Sequence, residues 1–203
     1  MQNTLSLLAI AGPAALLLAF CVSRADQGLR PSGAKLAATL ASLTALFAGT
    51  AACAGLAVHG ARSWSAGEGL LQVLSVRLDA VSGIMLLLVS FIGAVVIRYS
   101  ATYLDGEARQ GKFTGWLCLT LAAVMVLVVA GNLLLLTAAW IAMSLCLHKL
   151  LLFYPDRVQA VRAARKKFII ARAGDAALAG AAAVLFAGYG TGDISAILEA
   201  ARS

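Results

Sequence analysis

Six apolar runs, each close to the length that crosses a bilayer, limit this chain more than any other feature. They cover residues 5–22, 36–58, 80–96, 116–130, 133–152 and 168–187. A helix crosses the hydrocarbon core in about 20 residues. Hydrocarbon offers the backbone no hydrogen-bond partner, so a spanning segment must satisfy its own N–H and C=O groups. The runs therefore predict an all-α, multi-pass transmembrane helical bundle of about six spans. Composition agrees, at 62% hydrophobic and 12% charged residues. A soluble domain would not show this balance.

The segments between and around the runs carry their own signals. Before the first run, MQNT has no positive charge, and no clean A-x-A site follows, so the run reads as a retained span rather than a signal peptide. The second run is rich in Ala, Gly, Ser and Thr, which lets helices approach closely. The stretch 59–79 has Gly and Ser punctuation and a short alternating part, and predicts a small hairpin or an extended surface segment. Arg98, Tyr99 and Tyr103 stand where interfacial residues belong. Gly131-Asn132 predicts a tight turn, and the tail 188–203 a loop with one or two amphipathic turns.

The formal charge of +7 lies in short connections. Arg24, Arg30 and Lys35 follow the first run, and Arg98, Arg109 and Lys112 the third. Arg157, Arg162, Arg165, Lys166 and Lys167 follow the fifth. The connections after the second and fourth runs hold only Arg62 and Arg77. By the positive-inside rule the odd connections are cytoplasmic, and both termini face outward. No basic face is interleaved with aromatics, which argues against nucleic acid as a partner. The cluster from Arg157 to Lys167 is denser than orientation needs, and reads as a loop for docking an acidic partner surface or anionic lipid headgroups.

Ionisable residues inside spans are costly and usually mark ion or proton paths. Trp140, Ser144 and His148 recur every four residues and share one helix face. His148 suits a proton relay or a helix–helix contact, and Lys149 can snorkel to the interface. Arg172 and Asp175 are one turn apart in the last span. Lys167 to Asp175 spans about 12 Å of helix rise, which sets the carboxylate well inside and calls for a local partner, Arg172. The pair serves structure or ion coupling. Ala173, Gly174, Ala177, Gly180 and Ala181 predict close helix packing in a larger assembly.

Cys21, Cys53, Cys118 and Cys146 all fall in apolar runs, without a CxxC, and His59 and His148 are far apart. These residues predict no metal site, no disulfide framework and no iron–sulfur centre. There is no Walker motif and no G-x-G-x-x-G. Any cofactor would sit in another subunit.

LDAVSGIMLLLV at 78–89, Tyr99 and Tyr103, AGNLLLL at 130–136, Trp140 and KKFIIARAGDAAL at 166–178 resemble one family. It is the large antiporter-like subunit family, which includes the NuoL subunit of respiratory complex I and Mrp-type cation/proton antiporters. The resemblance covers about residues 76–194. It implies a division into an N-terminal two-helix membrane segment with an outer loop, 1–75, and the start of the antiporter-like membrane domain, 76–203.

SLCLHKLLLFYPDR at 144–157, AARKKF at 163–168 and the Arg-x-Gly-Asp of 172–175 look most like the DabB-type members. That resemblance implies a membrane subunit of an inorganic carbon accumulation system in the bacterial inner membrane, which couples a proton or sodium gradient to a DabA-like partner. The partner lies on the cytoplasmic side and resembles a zinc-dependent carbonic anhydrase, so zinc belongs there and no cofactor to this chain. His148, Lys149, Arg172 and Asp175 are the ion-coupling candidates.

Two departures qualify the resemblance. Respiratory relatives have a glutamate directly after the span-five tryptophan, whereas Ile141 stands here. The family also continues for further helices, while this chain ends at Ser203. That leaves open a fragment, a truncated product or half of a split subunit, with other membrane subunits supplying the missing helices.

Overall fold

The structure is a computed structural model that describes residues 2–26, 31–60, 62–64, 74–107, 109–154 and 156–202. Its elements in chain order are α1 (Gln2–Ala25), α2 (Ser32–His59), β1 (Arg62–Trp64), β2 (Val76–Leu78), α3 (Ala80–Tyr103), α4 (Gln110–Val129), α5 (Leu133–Leu151), α6 (Val158–Tyr189) and α7 (Ile194–Ala200). The six longer helices are each long and apolar enough to cross a membrane. The expected all-α multi-pass bundle is what the chain forms.

A 3.5-residue repeat of small residues builds the core. On α2, Ala34, Ala38, Ala41, Ala45, Ala48 and Ala52 are all buried. Their spacing alternates four and three, the seam of a left-handed helix packing. The other helices repeat it with Ala9, Leu16, Ala19 and Ser23 on α1, Leu86, Ser90, Ile97 and Ser100 on α3, and Cys118, Ala122, Met125 and Val129 on α4. Lipid removes any hydrophobic drive between helices, so close van der Waals contact must hold them, and small side chains permit it. Gly12 shows how tight the seam is. A Cβ there would meet Met125 Cε at 2.7 Å and the Ala45 Cα at 3.2 Å. The helices α1 to α4 form this packed unit, α5 lies against α4, and α6 lies against α5.

Polar contacts tie the helix ends. At the basic end, the Asp26 carboxylate accepts from the Ala34 N–H at 3.0 Å, and Lys35 Nζ meets Asp105 Oδ1 at 2.5 Å. At the opposite end, β1 and β2 pair antiparallel with Ser63 opposite Arg77. The hairpin-or-extended expectation for 59–79 is met by these two short strands, while residues 65–73 lie outside the described residues. The same end carries a backbone knot. The Gly131 N–H donates to Ser75 O, Leu133 N–H to Gly192 O and Ile194 N–H to Gly131 O, each at 2.9 Å. Asn132 caps α5 through the Leu134 N–H at 2.8 Å, and Asp193 caps α7 through the Ser195 N–H at 2.7 Å. The tight turn at Gly131-Asn132 is thus the centre of the knot.

Two boundaries differ from the sequence expectation. Helix α3 runs on to Tyr103, so Arg98 and Tyr99 are helical, and Tyr99 stacks on Tyr103 at 5.4 Å. More consequentially, the expected docking loop from Arg157 to Lys167 is not a loop. Arg157 is the N-cap of α6, and Val158 onward is helix. Ala, Arg and Lys are good helix formers, so a charge run outside the hydrocarbon need not break a helix.

Candidate functional site at the interface of α5 and α6

Helix α5 presents Ser144 and His148, one turn apart, and α6 presents Lys167, Phe168, Arg172 and Asp175. Spacings of four and three put Phe168, Arg172 and Asp175 on one face. Asp175 is 6% exposed, one of only two buried residues on α6. Arg172 Nη2 lies 2.5 Å from Asp175 Oδ2 and also donates to Ser144 Oγ at 3.2 Å. One nitrogen therefore serves both a carboxylate and a hydroxyl. Lys167 Nζ donates to the Ser144 carbonyl at 3.1 Å. The Arg172 guanidinium lies 5.1 Å from the Phe168 ring centroid, and the Phe168 ring 4.7 Å from that of His148.

Hydrogen bonding in this cluster is incomplete. His148 Nδ1, Arg172 Nε and both Asp175 oxygens are buried without an aligned partner. The Arg172–Asp175 contact is a charge pair by distance but lacks a well-directed N–H···O. A buried carboxylate held by charge alone is costly.

Antiparallel register sets the depth. His148 is level with Phe168 and Ser144 with Arg172. Continuing at 1.5 Å per residue, Asp175 is level with Ile141, near the middle of α5. The carboxylate thus stands level with the residue that follows Trp140.

The structure divides the sequence-predicted residues into groups. His148, Arg172 and Asp175 come together. Lys149 is exposed and outside the cluster, so the four expected ion-coupling residues are not one network. Lys167, expected among the docking residues, instead turns inward to Ser144. Arg157 stacks over Tyr154 at 5.0 Å, while Arg162, Arg165 and Lys166 are exposed. Ser144 and Phe168 join the site, and the only sequence signal was the four-residue spacing of Ser144 and His148.

Residues 64–114 match the family described as NADH-ubiquinone oxidoreductase (complex I), chain 5 N-terminus. Residues 130–203 match NADH:quinone oxidoreductase/Mrp antiporter, TM. A probable inorganic carbon transporter subunit DabB of Hydrogenovibrio crunogenus is 44% identical over 125 residues, 61% of this chain and 24% of that protein. The probable subunit DabB2 of Halothiobacillus neapolitanus is 37% identical over 192 residues, 91% of this chain and 34% of that protein. NADH-quinone oxidoreductase subunit L of Escherichia coli is 35% identical over 124 residues, 61% of this chain and 20% of that protein. Among solved structures, the Mrp complex of Dietzia sp. DQ12-45-1b superposes with a TM-score of 0.71 at 25% identity, covering 96% of this chain and 21% of that one. An archaeal membrane-bound sulfane sulfur reductase shares the fold, with a TM-score of 0.79 at 12% identity over 97% of this chain and 39% of that one. The chain spans 24% to 34% of the length of the DabB-type relatives it matches.

The fold is that of a multi-pass helical membrane protein with a charged pair at the interface of its last two long helices. The chain belongs to the antiporter-like membrane subunit family of complex I and Mrp antiporters, and carries the N-terminal part of it.

Proposed function

We propose that this chain is part of the membrane subunit of an energy-coupled inorganic carbon accumulation system. In this reading a proton or sodium gradient, felt at Asp175 and Arg172, drives carbon dioxide hydration or bicarbonate accumulation by a zinc-bearing, carbonic-anhydrase-like partner on the cytoplasmic face. The observation that carries it is the 44% identity to a DabB-type subunit, against 35% for the respiratory relative of Escherichia coli. Ile141 adds support, because it removes the carboxylate on which respiratory proton transfer draws.

A second reading has its own support. Both family models and the Mrp superposition favour a quinone oxidoreductase or cation/proton antiporter subunit. In that case Asp175 supplies the carboxylate at the depth of Ile141.

Asp175 is the proton- or ion-responsive group in either reading. Neutralising it frees Arg172, which keeps Ser144 Oγ as an acceptor, so the guanidinium is not stranded. Lys167 stays on the Ser144 carbonyl throughout, since a backbone acceptor does not depend on either charge.

Purification of the protein from its own membrane in mild detergent, with partners identified by mass spectrometry and zinc by elemental analysis, tests the choice. A co-purifying zinc protein of carbonic-anhydrase character supports carbon accumulation. Co-purifying quinone-reductase or antiporter subunits overturn it.

A further inference from the structure

Three basic residues of α6, Arg162, Arg165 and Lys166, have no assigned work. They are exposed, and their side chains make no ion pair or hydrogen bond among the described residues. Their neighbour Lys167 is committed to Ser144. Asp156 is the one acid between residues 150 and 174, so local counter-charge is scarce.

Depth decides what these residues meet, and two routes give the same level. Helix α6 has 32 residues. At 1.5 Å each it is about 48 Å long, against a hydrocarbon core of about 30 Å. Its apolar part begins at Phe168, so the turns before it lie outside the core. Independently, His148 is level with Phe168, and α5 ends three residues beyond His148, at Leu151. The end of that span is therefore level with Arg165. Tyr154 and Arg157, stacked at 5.0 Å just past α5, fit an interfacial belt at the same level.

The face matters as much as the depth. At 100° per residue, Arg162, Lys166, Ile169 and Ile170 point away from the α5 contact, and Arg165 flanks them. Ile169 and Ile170 are 69% and 73% exposed. Directly below the cations, then, is bare apolar helix at hydrocarbon depth. An acidic protein surface would satisfy the cations but leave the isoleucines unmatched. A phospholipid matches both, with its phosphate at the basic turn and its acyl chains along Ile169 and Ile170.

We propose that Arg162, Arg165 and Lys166 form a binding site for the headgroup of an anionic phospholipid whose acyl chains lie along the outer face of α6. The site is separate from the Arg172–Asp175 pair, and holds whichever ion the protein moves. It would hold α6 at a fixed depth.

Native mass spectrometry of the delipidated full protein, titrated with phosphatidylglycerol or with phosphatidylcholine of the same acyl chains, tests the proposal. The wild type should retain phosphatidylglycerol preferentially. Each basic residue removed should weaken retention roughly fivefold, as expected for about 1 kcal/mol per charge near an anionic surface. Lys166→Gln alone gives one such step, and the triple change Arg162→Gln, Arg165→Gln, Lys166→Gln abolishes the preference. The charge-keeping pair Arg162→Lys, Arg165→Lys preserves it, as does Arg98→Gln with Lys112→Gln at the same end of the bundle. Equal retention of the two lipids, or an unchanged preference in Lys166→Gln, overturns the proposal. Loss of an acidic protein partner with lipid retention unchanged overturns it too, in favour of a protein-docking face.

Discussion

Arg172 Nη2 stands 2.5 Å from Asp175 Oδ2 and 3.2 Å from Ser144 Oγ, so a single guanidinium nitrogen bridges a buried carboxylate and a hydroxyl on the neighbouring helix. The carboxylate has no other cation within reach on α6, and neither of its oxygens has an aligned donor. This is a pair held together by charge, with a second resting place for the arginine already in contact.

Breaking such a pair from one side leaves a buried charge uncompensated. Arg172→Gln should therefore destabilise the protein more than the double change Arg172→Gln, Asp175→Asn. Thermal unfolding in detergent across the double-mutant cycle should return a coupling of about 1–3 kcal/mol. Additive losses would mean the two side chains do not sense each other.

Ser144 carries two separate bonds, and they should separate experimentally. Ser144→Ala removes the hydroxyl that accepts from Arg172 and leaves the carbonyl that accepts from Lys167. A loss of about 1 kcal/mol in stability is expected, the net worth of one hydrogen bond. Ser144→Thr keeps a hydroxyl and should restore most of it.

The two lysines near this interface should behave differently although both lie within twenty residues of each other. Lys149 is exposed and makes no hydrogen bond or ion pair with the cluster, so under the proposed ion-coupling role Lys149→Gln should leave ion flux in reconstituted vesicles unchanged. Lys167→Gln removes the bond to Ser144 and should reduce it. Equal effects would refute the division of the cluster seen here.

Asp79 caps α3, accepting from the Ser82 N–H at 2.9 Å, and the Ser82 hydroxyl closes a capping box on the Asp79 N–H at 2.8 Å. The backbone bond from Ser82 is the main cause holding the Asp79 carboxyl below its usual value of 3.8, with Arg77 adding to it. A carboxylate with a lowered folded pKa stabilises above its unfolded value. That contribution fades as pH falls from about 3.8 through the lower folded value. Protection factors of the first-turn amides of α3 should be flat from neutral pH to about 5 and fall only below 4. Asp79→Ala should show the reduced protection at every pH, at a cost of about 1 kcal/mol.

Much of this arrangement is written locally in the sequence. Spans of about twenty apolar residues announce themselves, and the alanine seam of α2 is visible as a repeat of four and three. The N-terminal turns of α6 were not legible, because hydropathy sees a charge run and cannot distinguish a loop from a helix emerging into water. The site was half legible. Arg172 and Asp175 share a helix and could be paired by spacing alone. Ser144, Lys167 and Phe168 meet only through the register between α5 and α6, which no local pattern encodes. Lys149 is exposed in the last turn of α5, where a lysine can snorkel, while adjacent His148, about 100° round the helix, faces α6.

The proposed role in carbon accumulation is tested most directly by uptake of labelled inorganic carbon in cells that carry this protein. The comparison is between wild type, Asp175→Asn and His148→Leu, with membrane levels of the protein measured alongside. The account predicts normal insertion and loss of accumulation in both variants, matched in wild-type cells by collapsing the ion gradient. Accumulation at the wild-type rate by Asp175→Asn, at equal membrane abundance, would contradict it.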